Sequence, residues 1–164
     1  MPVTDTNMPL VARRRLLGWL GAGVALPVLA ACGSKADARA FPVAYSEAEW
    51  RKRLSQQQFH ILREKGTEYP GTSALLNEHR KGTFACIADD NPLFASTTKF
   101  DSGTGWPSFW KPLPGAVVTA SDFGSTEVLC ARCGGHLGHV FDDGPAPTGL
   151  RYCMNGVALA FKAG

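Results

Sequence analysis

The sequence predicts a small antiparallel β domain behind two short helices. Beyond Gly82 the chain breaks into short β-rich runs separated by Gly, Pro or Asp, the punctuation of antiparallel strands. Eighteen Gly and eleven Pro in 164 residues argue against an all-helical bundle. Before Gly82, apolar residues fall at helical spacing behind two Ser-x-x-Glu/Gln pairs, the signature of capped helix starts. With 45% apolar and 19% charged residues, the chain has neither a disordered nor a low-complexity composition.

Taken in order, the chain begins with an address. Arg13, Arg14 and Arg15 precede the apolar or small residues Leu16 to Ala31, which are interrupted by Gly and by Pro27. That run is short for a spanning helix, which needs roughly 20 apolar residues. Its basic, apolar and small-residue order is that of a secretory signal. Arg13-Arg14-Arg15-Leu16-Leu17 resembles a twin-arginine export pattern. Leu29-Ala30-Ala31-Cys32 resembles a lipoprotein box, in which Cys32 is lipidated and becomes the first residue. Ordinary cleavage near Ala36 to Ala40, with Cys32 lost, is the alternative. Residues 1–32 are therefore read as an export signal, 33–45 as a flexible linker and 46–164 as the functional domain, exported to the periplasm and tethered to a membrane through Cys32. Three of the seventeen basic residues lie in the signal, against only Asp5, so the formal charge of +3 falls to +1 without it. A nucleic-acid binder would carry a basic face, and none is expected.

Ser46-Glu47-Ala48-Glu49 fits a capping box, and Trp50 and Leu54 follow at helical spacing. Ser55-Gln56-Gln57-Gln58 is a second, with Phe59 and Leu62 on one face and Gly66 as a stop. Ser73 to His79 reads as one or two further turns. The β-rich runs are Thr83–Ile87, Val117–Thr119, Thr126–Leu129, Leu137–Phe141, Leu150–Met154 and Val157–Phe161.

Four cysteines remain beside Cys32. Cys130-Ala131-Arg132-Cys133 brings two thiolates within reach of one metal or of each other. A matching half-site would be Cys86-Ile87-Ala88-Asp89, with a carboxylate as the fourth ligand, and Asp is a legitimate zinc ligand. A Cys130–Cys133 disulfide and a buried apolar role for Cys86 stay open. Cys153 stands apart. In a strand, Arg151 would share its face, and a nearby cation favours the reactive thiolate. His136 and His139 supply two titratable rings in one short element and could donate to a substrate oxygen. The aromatic cluster around Gly103, Gly105, Trp106 and Pro107 suits a loop that exposes a ring, and a Trp face packs well on a methyl or thioether group.

Phe100-Asp101-Ser102-Gly103 with Gly105-Trp106-Pro107-Ser108-Phe109, Cys130-x-x-Cys133, Gly135-His136-Leu137-Gly138-His139-Val140-Phe141-Asp142-Asp143-Gly144-Pro145 and Gly149-Leu150-Arg151-Tyr152-Cys153-Met154-Asn155 together resemble the methionine-R-sulfoxide reductases of the B type, over roughly Ser46 to Phe161. The resemblance implies a mainly β fold of two antiparallel β-sheets, tent- or sandwich-like, with short N-terminal helices. It implies that Cys153 attacks the sulfur of methionine-R-sulfoxide in peptides or proteins and becomes a sulfenic acid. It casts His139 as proton donor, His136 and Asn155 as completing a polar pocket, Arg151 as favouring the thiolate, and Trp106 with Phe141 as the substrate's apolar wall. It places structural zinc on Cys86, Asp89, Cys130 and Cys133, and implies a monomer with no organic cofactor, recycled by a thioredoxin-like partner. Two positions depart from the family pattern. Thr104 stands where many members carry a resolving Cys, so recycling uses an outside thiol, or Cys86 if Cys86 is not a metal ligand; Asp89 stands where zinc-binding members carry a fourth Cys. A non-catalytic zinc-bearing β module and a related thiol-dependent lyase are the competing readings.

Overall fold

The computed structural model describes residues 40–164. The expected export signal, Cys32 and the first part of the linker lie outside the described residues. Helices α1 (Glu47–Arg53) and α2 (Gln56–Glu64) both start in full capping boxes: Ser46 and Ser55 accept from the Glu49 and Gln58 amides, and the Glu49 and Gln58 side chains accept in return. Helix α2 stops at Lys65, whose left-handed backbone ends the helix just before Gly66. It buries Phe59, Ile61 and Leu62 in the core. Residues 73–79 form isolated turns rather than a helix.

Among the described residues nine strands make two antiparallel sheets. Strands β1 (Gly82–Cys86), β2 (Pro92–Ala95) and β9 (Leu159–Ala163) form one, in the order β2-β1-β9. The other is β3-β4-β8-β7-β6-β5, built from β3 (Lys99–Phe100), β4 (Ser108–Phe109), β5 (Val117–Asp122), β6 (Ser125–Cys130), β7 (His136–Phe141) and β8 (Arg151–Met154). The core between the layers is aromatic. Phe94 stacks on Phe109 at 4.3 Å, and Phe84 meets Phe109 edge-on at 4.9 Å.

Two features of this sheet position the site. Side chains alternate along a strand, and partners directly opposite share a face. Cys153 lies opposite Ser108 on one side and His139 on the other, and Arg151 lies opposite Phe141. These residues therefore share one face, while Met154 and Phe109 go into the core. The second feature is a β-bulge. Val128 pairs with Gly138 but Leu129 pairs with His136, leaving Leu137 as an extra residue in β7. Residues three apart on a regular strand face opposite ways. The bulge reverses that and brings the rings of His136 and His139 to 5.3 Å. Gly138 is required there: its φ is 152°, and a Cβ would lie 2.1 Å from the Cys153 carbonyl oxygen.

The last expected strand, Val157–Phe161, begins later, at Leu159. The buried Glu68 carboxylate accepts from the Gly156 and Val157 amides at 2.5 and 3.1 Å, and residues 156–158 form a 3₁₀ turn instead.

Candidate active site and metal centre

A pocket of about 140 Å³ opens on the shared face, lined by Thr67, Trp106, Gly138, His139, Phe141, Cys153 and Asn155. That size takes a side chain. Among the described residues Cys153 is the one cysteine that is not buried. Its Sγ lies 3.8 Å from Thr104 Oγ1. Thr104 joins a row of hydroxyls, 2.8 Å from Ser102, which is 2.7 Å from Ser108. Ser108 donates to the Trp106 carbonyl, so the row ties the loop that carries Trp106 to the strand beside Cys153.

His139 faces the pocket, and its Nε2 lies 3.0 Å from Asp122 Oδ2. That hydrogen bond holds the Asp122 carboxyl below its ordinary range. His136 is placed differently. It is 3% exposed, does not line the pocket, and sits 2.7 Å from Glu127 Oε1. Lys65 Nζ donates to the other oxygen of Glu127, also at 2.7 Å. Burial pushes the His136 ring below its ordinary value in spite of the carboxylate. His136 therefore stands behind His139 as a support, packed edge to ring.

Asn155 lines the pocket, but its amide is engaged on both sides. Oδ1 accepts from the Glu68 amide at 3.0 Å, and Nδ2 donates to the Leu137 carbonyl at 3.2 Å. Trp106 Nε1 donates to the Glu68 carbonyl at 3.1 Å. One backbone unit at Glu68 thus fixes both the indole and the amide. Arg151 grips Asp143 with two hydrogen bonds of 2.8 Å and lies over the Phe141 ring at 4.4 Å. The hydrogen bonds it donates to Asp143 are the main reason the Arg151 guanidinium is raised above its ordinary value, and Cys153 contributes less. Asp122, Glu127, Lys65, Glu68, Thr67 and Asp143 were not singled out from the sequence. Each is a common polar residue on another element, and only the fold brings it to the site.

The cysteine cluster lies elsewhere. The ligand atoms of Cys86, Asp89, Cys130 and Cys133 all lie within 4.8 Å of one another. Cys86 and Cys133 Sγ are 3.8 Å apart, and Cys130 Sγ is 3.5 and 3.7 Å from the Asp89 oxygens. A tetrahedron with metal–sulfur bonds of ~2.3 Å has edges of about 3.8 Å, so the spacing fits one ion. The two half-sites are the same turn. The Cys86 amide donates to the Asn91 carbonyl and the Asp90 amide to the Cys86 carbonyl; the Cys130 amide donates to the Gly135 carbonyl and the Gly134 amide to the Cys130 carbonyl. Asp90 and Gly134 even share the left-handed backbone, with φ of 61° and 66°. Asp89 therefore occupies in one turn the place that Cys133 holds in the other. Hydrogen bonds to Cys130 and Cys133, then burial, push the Cys86 thiol far up, and burial pushes the Asp89 carboxyl up. Such a cluster holds protons that a divalent cation displaces. The cluster can bind a metal. Arg63 donates to the Cys133 carbonyl at 2.9 Å and stacks on Trp50 at 4.0 Å, joining both helices to this turn.

Residues 54–163 match the SelR domain family. The chain is 55% identical over 122 residues to a peptide methionine sulfoxide reductase MsrB of Agrobacterium fabrum, covering 71% of this chain and 90% of that protein. It is 50% identical over 127 residues to the MsrB of Leptospira interrogans, covering 74% and 97%. It is 53% identical over 119 residues to that of Pseudomonas putida, covering 70% and 90%.

Proposed function

The chain belongs to the SelR family and is a thiol-dependent peptide-methionine (R)-S-oxide reductase, and on that premise we propose that the reaction runs on Cys153 in the pocket walled by Trp106, Phe141 and His139. The observation that carries this reading is the register of β7 against β8, which sets the only half-exposed thiol among the described residues directly opposite a pocket-lining histidine. The Cys153 thiolate attacks the sulfoxide sulfur while His139 delivers a proton to the departing oxygen. With Nε2 engaged by Asp122, Nδ1 is the ring position left for that exchange. Two electrons pass from Cys153 to the substrate: the attack forms an Sγ–S bond, the S–O bond of the sulfoxide then breaks as the protonated oxygen passes to Sγ, the Sγ–S bond breaks in turn to release the thioether of methionine, and Cys153 keeps the oxygen as a sulfenic acid. Trp106 and Phe141 supply the apolar wall for the methyl and thioether groups.

Recycling falls to an outside thiol. Thr104 Oγ1 lies 3.8 Å from Cys153 Sγ, and a hydroxyl cannot form a disulfide. Cys86, Cys130 and Cys133 are buried together in the metal cluster. A thioredoxin-like dithiol then attacks the sulfenic acid, expels water to give a mixed disulfide, and its second thiol frees Cys153. We assign zinc to the cluster, because three thiolates and one carboxylate at tetrahedral spacing suit a closed structural site. The signal and lipobox motifs support an exported protein tethered through Cys32, with the domain in the periplasm; no helix among the described residues is long and apolar enough to cross a membrane.

The deciding experiment is a stereospecific assay with dithiothreitol as reductant. The R epimer is reduced and the S epimer is not, and Cys153→Ser abolishes turnover. Residual activity near wild type in that variant overturns the assignment of the nucleophile.

A further inference from the structure

The hydroxyl row beside Cys153 has a direction. A hydroxyl carries one hydrogen and two lone pairs, so each bond in the row limits the next. Ser108 is fully buried, and a buried hydroxyl uses its hydrogen inside the protein. It donates to the Trp106 carbonyl at 3.1 Å, and therefore accepts from Ser102 at 2.7 Å. Ser102 has then spent its hydrogen and accepts twice, from the Thr104 hydroxyl at 2.8 Å and from the Thr104 amide at 3.4 Å. The Thr104 hydrogen is thereby turned away from Cys153. Thr104 Oγ1, 3.8 Å from the sulfur, presents a lone pair to it and acts there as an acceptor only.

Such an acceptor suits the sulfenic acid form of Cys153. A thiolate has no hydrogen to give and a thiol is a weak donor, whereas S–O–H ends in a hydroxyl. The 3.8 Å gap is longer than a hydroxyl hydrogen bond of about 2.7–2.8 Å, and an oxygen bonded to Sγ and turned this way closes it. We infer that Thr104 accepts the hydrogen of the Cys153 sulfenic acid and holds its oxygen on the Thr104 side, clear of the substrate pocket. This inference rests on the sulfenic acid chemistry assigned to Cys153 above. Cys153 lines the pocket and Thr104 does not, so the pocket stands open to the outside thiol once methionine has left. The thiol's sulfur bonds to Sγ, the Sγ–O bond breaks with its electron pair going to oxygen, and that oxygen takes up the thiol's proton and leaves as water. Cys153 is reduced and the outside thiol is oxidised, the two sharing the mixed disulfide. Ser102 and Ser108 act through Thr104 by fixing the direction of its hydrogen. Their anchor is the Trp106 carbonyl, so the loop that walls the pocket also orients the acceptor.

The test loads the enzyme with a stoichiometric amount of an R-sulfoxide peptide and no reductant, which leaves Cys153 as the sulfenic acid. In a crystal structure of that form the sulfenic oxygen lies within hydrogen-bond distance of Thr104 Oγ1. An oxygen turned into the pocket towards His139 overturns the inference. Rapid mixing of the loaded enzyme with dithiothreitol then follows recycling alone. Without the acceptor the oxygen spreads over about three staggered positions around the Cβ–Sγ bond, of which one lies on the Thr104 side, so Thr104→Val recycles about threefold more slowly. Thr104→Ser keeps the hydroxyl and stays near the wild-type rate. The burst of methionine released before reductant is added falls less in Thr104→Val than recycling does. Recycling at the wild-type rate in Thr104→Val, equal losses in burst and recycling, or a Thr104→Ser variant as slow as Thr104→Val each overturn the role of Thr104. If no methionine is released in the burst, or mass spectrometry finds no sulfenic acid on Cys153, the assignment of the nucleophile falls instead.

Discussion

His139 and Asp122 meet across two strands that are not neighbours in the sheet. Nε2 and Oδ2 lie 3.0 Å apart, although β6 stands between β7 and β5. The contact exists because Asp122 is the last residue of β5, where the hairpin turns. A carboxylate here fixes the ring's orientation and tautomer, and the same hydrogen bond holds the Asp122 carboxyl below its ordinary range. Asp122→Asn keeps a hydrogen-bond acceptor and removes the charge. The expected result is a roughly three- to tenfold lower kcat, a fraction of the ~10²–10⁴-fold that a general acid contributes. The loss falls on kcat more than on KM, because Asp122 touches the His139 ring and does not line the pocket. Steady-state kinetics at neutral pH check this, and an unchanged kcat rejects the pairing as a positioning device.

Glu127 is the buried hinge of the support behind His139. Its side chain is 1% exposed, and it joins Lys65 to His136. Glu127→Ala leaves the His136 Nδ1 hydrogen without its partner in the interior. A buried donor stripped of its acceptor costs about 1–3 kcal/mol. A fall of that size in urea-unfolding free energy is expected for Glu127→Ala, and a clearly smaller one for Glu127→Gln, whose amide oxygen can still accept from His136. Equal losses in the two variants would show that Glu127 matters only as volume.

His136 makes the fold sensitive to mild acid. Burial lowers its folded-state value, so the ring stays neutral in the fold at a pH where the unfolded chain, near the ordinary ~6.5, takes up a proton. The stability this linkage supplies is complete above the unfolded value and is lost as pH falls from there towards the folded value. Glu127, Lys65 and His139 are the other charged or titratable groups that act on the ring. Urea midpoints are expected to fall between pH 7 and pH 5.5, and to fall less in His136→Asn. A steeper fall in the variant contradicts the assignment.

Much of this site was legible because its residues sit in contiguous motifs. Cys153, His139 and Trp106 could be named because they stand in motifs that resemble those of the family, and the register of β7 and β8 brings the first two together. The helix starts were legible because a capping box is a local device, written in four residues. Strands β3 and β4 were not, since two residues cannot display an alternation. The bulge at Leu137 was also hidden: the His136 and His139 spacing alone would place the rings on opposite faces. Asp122, Glu127 and Glu68 carry no local signal at all, because a buried or bridging carboxylate has the same sequence appearance as a solvated one. Glu68 shows the consequence. Its main chain holds Trp106 and Asn155 while its side chain reshapes residues 156–158.

Asp89 is the one carboxylate in the cluster with Cys86, Cys130 and Cys133 that can bind a metal, and its role can be separated from that of the thiols. The hydrogen-bond pattern around Cys86 repeats that around Cys130, and this puts the Asp89 carboxylate where the Cys133 sulfur sits in the matching turn. If that equivalence is functional, the purified domain carries close to one zinc per chain. Asp89→Ala leaves three ligands, and half-release by a chelator is then expected at a concentration at least about tenfold lower, as losses around metal sites typically give. Asp89→Cys restores a thiolate in the same turn and shifts half-release the other way. Elemental analysis, a colorimetric zinc-release titration and thermal melts of the three proteins distinguish the outcomes, with melting temperature following metal retention. A domain that is equally stable with and without the ion, or an Asp89→Ala variant that retains it as tightly as wild type, removes Asp89 from the ligand set.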